Sequence, residues 1–293
     1  MKNYLRNIYW FILKILPINI VIQIENLFTY KRFFKNDRAE YFGEKIQWLK
    51  LYGNLEKYTN YVDKYKVRDY IKKKIGDDYL IPLLGVYDKV EDIPYNDLPA
   101  KFVIKGNHGS GYNLIIKEKE KTDFNKIKRI LNKWLNEDYS KIKKENQYSH
   151  VQRKIIIEQY MSDKNDELID YKFFCFNGKP EFVKVDFDRY TNHKANFYDM
   201  NWKLLDIKEK GYDNFEGEVS KPEEFEKMIE ISKKLCEDFS FVRVDLYNLD
   251  GKIFFGELTF TPASGKHPFI PLSKDLEIAK KLTLEKRWKY GKT

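Results

Sequence analysis

Two short stretches near the end of the chain carry residues that could do chemistry. Arg243-Val244-Asp245 and Glu257-Leu258-Thr259 each set two polar side chains two residues apart inside an apolar run. On a β-strand, positions i and i+2 face the same side. Asp250-Gly251 between them reads as a hairpin turn, so the two strands run antiparallel and bring both pairs side by side. Two carboxylates on one sheet face offer the hard oxygen ligands that Mg2+ takes when it shares its shell with phosphates. Arg243 adds a planar cation suited to a phosphoryl group. A sheet face laced with cross-strand ion pairs is the plainer reading of the same residues.

A second stretch, FVIKGNHGSGYNLII (102–116), sets Lys105 at the end of a strand and follows it with Gly106, Gly109, Ser110 and Gly111. Glycines between two strands let backbone N–H groups curl around phosphate oxygens. A lysine just before such a loop can neutralise phosphate charge. The Gly-Lys-Ser/Thr ending of a Walker loop is missing. An ordinary hairpin turn competes with the phosphate reading. His108 inside the loop either contacts phosphate or faces solvent. Lys172, on the DYKFF strand, is a further candidate to reach a nucleotide.

The elements around these residues follow from hydrophobic spacing. EKIQWLKLY (44–52) has helical periodicity. In DKYKVRDYIKKKIG (63–76), Asp63 reads as an N-cap and Gly76 as a stop. YLIPLLGVYD (79–88), KFVIKG (101–106), NLIIK (113–117) and KIIIEQY (154–160) read as strands. Residues 124–139 form an amphipathic helix through Ile127, Ile130, Leu131, Trp134 and Leu135. Residues 170–188 read as a hairpin around Asn177-Gly178, 221–239 as a helix and 241–260 as a second hairpin. Helices first, then β-loop-β-helix-β, then hairpin, helix, hairpin, favour α+β layers over a doubly wound sheet.

Composition narrows the class. The 293 residues are 42% hydrophobic and 16% aromatic, a globular balance with room for two lobes. The net charge of +9 is spread along the chain without a recognition motif, so nucleic acid is not the expected partner. Cys175 and Cys236 lie in apolar patterns without metal spacing and read as buried free thiols of a reducing cytoplasm. Residues 1–28 are apolar but interrupted by Lys14 and Pro17, which argues against a signal peptide or a clean span. Residues 1–35 hold Lys2, Arg6, Lys14, Lys31, Arg32 and Lys35 against the single acid Glu25. Such an arm either rests on a membrane surface, at the inner face of the plasma membrane, or packs on the protein's own core.

In this order, with IIIEQYM between them, the glycine loop and the two acidic strands resemble the ATP-grasp superfamily over about residues 61–273. The phrases EKIQWLKLY, DKYKVRDYI, IPLLGVYD, LPAKFVIKGNHGSG, DYKFFCFNGKP, RVDLY and GELTFTPASG resemble its TupA-like branch over most of 44–265. The resemblance implies ATP held between two α+β lobes, 61–157 with the lid loop and 158–293 with the metal site, behind a helical region 1–60. It makes Lys64 and Lys105 the ATP lysines, with Gly109, Ser110 and Gly111 the lid. Glu158, Gln159 and Tyr160 become the adenine and ribose hinge. Asp245, Glu257 and Thr259 would hold Mg2+, and Arg243 would stabilise the phosphoryl transition state. Thr259 stands where the family usually has Asn, which puts a complete second metal site in doubt.

The branch is associated with bacterial capsule and other surface-polysaccharide biosynthesis. The implied reaction is ATP-dependent ligation of a uronic acid or amino-acid carboxylate to an amine, with a saccharide or amino-acid substrate, free or carrier-linked. Ser264, Lys266 and His267, which follow the metal strand, are the candidates for gripping the acceptor. A phosphotransferase acting on a sugar, a nucleotide-sugar glycosyltransferase and a non-catalytic binding module are the competing readings. No Asp-x-Asp motif at a strand end supports the glycosyltransferase.

Overall fold

A computed structural model describes residues 15–162, 168–187 and 192–284. Residues 1–14, the first part of the basic arm, lie outside the described residues. Among the described residues, four α-helices precede the first strand: α1 (Ile18–Tyr30), α2 (Phe42–Tyr52), α3 (Thr59–Val62) and α4 (Val67–Ile75). The first sheet combines β1 (Leu83–Tyr87), β2 (Phe102–Gly106), β3 (Asn113–Ile116) and β4 (Ile155–Gln159) in the order β1-β4-β2-β3. All its pairs are antiparallel. Helix α5 (Phe124–Asn136) covers it, burying Ile127, Leu131 and Trp134 against Phe102, Ile104, Ile155 and Ile157. The Asp123 side chain caps this helix by accepting from the backbone N–H groups of Asn125 and Lys126. A short helix, α6 (Tyr139–Lys143), leads on towards β4.

The second sheet holds β5 (Asp170–Phe176), β6 (Lys179–Phe187), β7 (Lys194–Asp199), β9 (Phe241–Leu249) and β10 (Lys252–Thr259) in the order β10-β9-β5-β6-β7. Both expected hairpins are present. Asn177 and Gly178 have φ of 50° and 73°, Asp250 and Gly251 50° and 83°, the paired positive values a two-residue turn demands. A small ribbon pairs β8 (Lys208–Glu209) with β11 (Phe269–Ile270). Helix α7 (Phe225–Cys236) fills the expected helical region, and α8 (Leu272–Lys281) ends the described chain.

Strand alternation sorts the second sheet into two unlike faces. One face is apolar throughout. Phe173, Cys175, Val183, Val185, Val242, Val244 and Leu246 pack there against α7 and α4. Both cysteines are free and buried in this core. The opposite face is apolar only at one end, where Phe174, Phe176, Phe182 and Phe241 meet Phe42 and Ile46 of α2 and Ile278 of α8. The other end is charged.

Helix α1 is amphipathic. It buries Val21, Ile22, Glu25 and Asn26 and turns Ile20, Leu27 and Phe28 outward. Ile15 and Phe33 beside it are exposed as well. Among the described residues, no helix is long and apolar enough to cross a membrane.

Candidate functional site

The charged end of the second sheet is built by register. Thr259 lies opposite Arg243, and Glu257 opposite Asp245. Asp245 in turn faces Lys172 on β5, which faces Lys184 on β6. A bulge between Phe255 and Glu257 sets this arrangement. Before it, Ile253 and Phe255 point into the apolar core; after it, Leu258 and Phe260 do. The extra residue is Gly256, and it moves Glu257 and Thr259 onto the polar face. A Cβ at Gly256 would stand 3.0 Å from the Asp245 carbonyl oxygen, so the bulge favours glycine.

Arg243 grips Asp245 with two parallel bonds, Nε to Oδ1 at 2.7 Å and Nη2 to Oδ2 at 2.6 Å. Its Nη2 also donates to Thr259 Oγ1 at 3.1 Å and lies 3.4 Å from Glu257 Oε1. Thr259 Oγ1 donates to Glu257 Oε1 at 3.2 Å. The Thr259 hydroxyl thus orients the Glu257 carboxylate. Burial raises the Asp245 carboxyl, the Arg243 guanidinium only partly offsets it, and the pKa settles at about 6. For Glu257, burial works against the charge, but Lys64 and Arg243 outweigh it and bring the pKa down to about 2.

Segment 63–68 joins this cluster to the first sheet. Lys64 Nζ sits 3.2 Å from Glu257 Oε2 on the second sheet. One helical turn on, Arg68 Nη1 is 3.6 Å from Glu158 Oε1 on the first. Lys105 Nζ binds the other oxygen of the same carboxylate at 2.6 Å. Lys64, Lys105, Arg68, Arg243, Glu158, Asp245 and Glu257 thus line one cleft between the sheets. Beyond Glu158, the Gln159 N–H donates to the Pro82 carbonyl, and Lys101 and Lys117 approach the Tyr160 ring at 5.5 and 5.8 Å.

The glycine loop is anchored from below by Asn107, which sequence reasoning passed over. Its Nδ2 donates to Asp63 Oδ1 and to the Gln152 carbonyl, each at 2.9 Å. Its Oδ1 accepts from the Lys154 N–H at 2.7 Å. The Lys64 N–H donates to the Asn107 carbonyl at 3.1 Å. His108 is buried, with Nε2 2.9 Å from the Trp134 carbonyl, so it supports the loop and faces neither solvent nor phosphate. A Cβ at Gly109 would meet the Tyr139 ring at 2.6 Å. Gly111 has φ +79°, and Ser110 is exposed at the tip.

Lys172 does not stand alone in the row. It is buried and ion-paired with Asp186 and, at 3.4 Å, with Asp170. Beyond it, Lys184 bridges Asp186 at 3.1 Å and Glu209 at 2.5 Å. His193 Nε2 lies 2.9 Å from Asp186 Oδ1, and His267 Nδ1 lies 3.6 Å from Glu209 Oε1. These residues were not singled out, yet a signal exists. FVKVDF (182–187) has the same alternation as FVRVDL (241–246), a cation and an acid two apart in an apolar strand. Two of the three acceptor candidates lie elsewhere. Ser264 Oγ accepts from Lys50 Nζ at 2.8 Å, beside buried Glu145. Lys266 pairs with Glu25 of α1 at 2.5 Å. Both tie the loop to the N-terminal helices, and only His267 belongs to the charged face.

The cleft suits a triphosphate with a shared magnesium ion. Asp245 and Glu257 supply hard oxygens, and Lys64, Lys105 and Arg243 supply positive charge. Among the described residues, no group of three or more His, Cys, Asp or Glu side chains could hold a metal alone. Magnesium is commonly bound by one or two carboxylates, with phosphates and water completing its shell.

Comparison with known proteins gives the family. A family model described as TupA-like ATPgrasp matches residues 44–283. A search of curated proteins gives no match. Among solved structures, the D-alanine–D-alanine ligase from Bacillus anthracis complexed with ATP is 15% identical, with 89% of this chain and 81% of that chain covered and a TM-score of 0.45. The D-alanine–D-alanine ligase from Helicobacter pylori is 16% identical, with coverages of 82% and 69% and a TM-score of 0.42. A D-cycloserine synthetase is 12% identical, with coverages of 76% and 71% and a TM-score of 0.40. With the family model spanning both sheets and every residue of the cleft, the chain belongs to the TupA-like ATP-grasp family and has its α+β fold.

Proposed function

We propose that the protein is an ATP-dependent ligase that activates a carboxylate as an acyl phosphate and joins it to an amine. The observation that carries this reading is the cluster of Arg243, Asp245, Glu257 and Lys64 on one face of the second sheet. It combines the hard oxygen ligands and the cations that a transferring phosphoryl group needs. Asp245 and Glu257 would hold magnesium, which when bound neutralises charge on the phosphate oxygens. Lys64 and Lys105 bind phosphate oxygens, and the loop 106–111 closes over them to exclude water. Arg243 stabilises charge as the substrate carboxylate takes the phosphoryl group. The amine then displaces phosphate. Catalysis is mainly positioning and charge stabilisation. In this reading the substrate is a uronic acid or amino-acid carboxylate of a bacterial surface polysaccharide, as the resemblance to the TupA-like branch implies.

The test begins with calorimetry of Mg-ATP on the wild type and on Glu257→Gln. Wild type is expected to bind, and the variant to bind at least tenfold more weakly with magnesium present. ADP release is expected only when a carboxylate and an amine are both supplied. Release of ADP with a phosphate ester as product would replace the ligase by a phosphotransferase. No binding by wild type would leave only a binding module.

The same reading places the enzyme at the inner face of an anionic membrane. Ile15, Ile20, Leu27, Phe28 and Phe33 are exposed, and exposed Lys31, Lys35 and Arg38 lie beside them in sequence. Apolar insertion beside basic residues suits an anionic bilayer. Co-sedimentation with phosphatidylglycerol vesicles is expected for the wild type. Phe28→Asp with Phe33→Asp should weaken it at least tenfold, since each ring loses about 1.5–3 kcal/mol of burial. Both rings are exposed, so the fold should tolerate the change. Equal binding by the variant would remove the membrane contact from the reading.

A further inference from the structure

The charged row on the second sheet does not stop where a magnesium-bound triphosphate would. Strands stand about 4.8 Å apart, so β6 lies about 10 Å from β9, with β5 between them. That gap is of the size needed for a phosphoryl group and the carboxylate that receives it. On its far side, Asp186 is buried while the His193 side chain that it holds is 23% exposed. The carboxylate is inside and the imidazole is partly exposed. Asp186 is fixed by three cationic or donor partners at once, Lys172, Lys184 and His193. Burial opposes its charge, but these partners hold its carboxyl well below the usual range. It therefore stays ionised and orients the ring rather than taking up a proton itself. Nε2–H donates to Oδ1 at 2.9 Å, which leaves Nδ1 as the basic nitrogen. Among the described residues, no partner stands against Nδ1.

The surroundings favour an amine. Three carboxylates, Asp170, Asp186 and Glu209, stand among Lys172 and Lys184. Tyr212 lies between the two histidines, with ring centres 4.3 Å from His193 and 5.8 Å from His267. The Lys184 Nζ sits 4.7 Å over the same ring. His267 is a poorer base candidate, because its 3.6 Å approach to Glu209 is too long for a hydrogen bond that fixes a tautomer.

We propose that this end of the sheet is the acceptor-amine pocket and that His193, oriented by Asp186, is the general base for amide formation. The inference rests on the ligase reading above. The acceptor sheds one proton to solvent on entry and attacks as a neutral amine. Its nitrogen forms the C–N bond to the acyl carbon, the C–O bond to phosphate breaks, and inorganic phosphate leaves. The remaining excess proton on nitrogen passes to His193 Nδ1 and from there to water.

Hydroxylamine separates this role from a structural one. It is largely unprotonated at neutral pH and traps acyl phosphates as hydroxamates without a base. Wild type is first screened with D-glucuronate, D-galacturonate and amino acids as carboxylates, and amino acids as amines. On the best pair, His193→Ala should lose at least about 100-fold in amide formation, the usual scale of a general base. It should keep hydroxamate formation and Mg-ATP affinity within about threefold of wild type, which also reports that the fold survives. Added imidazole should restore part of the amide rate, and His150→Gln, at an exposed imidazole paired with Glu56 outside the charged row, should leave that rate within about threefold. Equal loss of amide and hydroxamate, or no loss of either, would overturn the base assignment. Neither product from wild type would overturn the ligase reading itself.

Discussion

Replacing Arg243 by lysine is expected to lower kcat by about 10²–10³-fold, while Mg-ATP affinity stays within about threefold. The guanidinium does three things that an ammonium cannot do together. It holds Asp245 through two parallel bonds, it reaches Thr259 and Glu257 with the same Nη2, and it keeps Nη1 for something else. Among the described residues, Nη1 has no hydrogen-bond partner, so its N–H groups are available to a phosphoryl oxygen. Lysine keeps one positive charge, which is what ground-state binding of the nucleotide needs. It loses the fork that fixes two carboxylates and a transferring group in one plane. Arg243→Ala is the harsher change. It leaves Asp245, only 2% exposed, without its counter-ion, and should cost about 3–5 kcal/mol of stability. Steady-state ADP release with thermal denaturation of both variants reads the two effects separately. An unchanged kcat for Arg243→Lys would mean that Arg243 only holds Asp245 in place.

The register that gives Arg243 its partners shows how far the chain can be read without its structure. Asn177-Gly178 and Asp250-Gly251 are local signals, because a two-residue turn needs positive φ that few residues adopt. The hairpins follow from them directly. The meeting of Glu257 with Asp245 does not. A two-residue turn with strict alternation sets Leu249 opposite Lys252 and Leu246 opposite Phe255, as observed. Continued, it would put Glu257 opposite Val244, on the apolar face. Only the bulge at Gly256 turns the acid into the cleft, and a lone glycine in a strand does not announce in which direction it shifts the ladder.

Long-range partners were the other hidden part. Ser264 and Lys266 looked like substrate ligands because they follow the metal strand, but they are engaged by Lys50 and Glu25. Nothing local to the loop specifies those contacts. Asp186 and His193 went unread for the same reason, since the imidazole gains meaning only once β6 and β7 pair. Helix α8 was also unread, although it closes the apolar end of the same face. The strands themselves were legible as short apolar runs bounded by turn residues.

Asn107→Ala is expected to lower the melting temperature by about 10 °C and Mg-ATP affinity by at least tenfold. Asn107 is fully buried, and its amide ties the glycine loop to two segments far from it in sequence, at Asp63 and at Gln152 with Lys154. Alanine would leave the Gln152 carbonyl and the Lys154 N–H without this partner in a dry interior. At about 1–3 kcal/mol for each stranded group, the loss is on the order of 3–4 kcal/mol. A shift of about 2–4 °C per kcal/mol, as found for chains of 150–250 residues, converts this to roughly 10 °C. The effect on binding has a separate cause. Asp63 Oδ1 also accepts from the N–H groups of Tyr65 and Lys66, so its carboxylate shapes the turn that carries Lys64. The Lys64 N–H rests on the Asn107 carbonyl. When the clamp is lost, Lys64 and the glycine loop lose their common reference, and a lysine displaced by an ångström no longer meets the phosphate. Asn107→Asp keeps an acceptor for Lys154 but sets a second carboxylate against Asp63, so it should not rescue. Ser110→Ala, at the exposed tip of the same loop, should stay within about 0.5 kcal/mol of wild type. If Asn107→Ala melted within 2 °C of wild type, the loop would be held by its own backbone pairing between β2 and β3, and Asn107 would be a passenger in it.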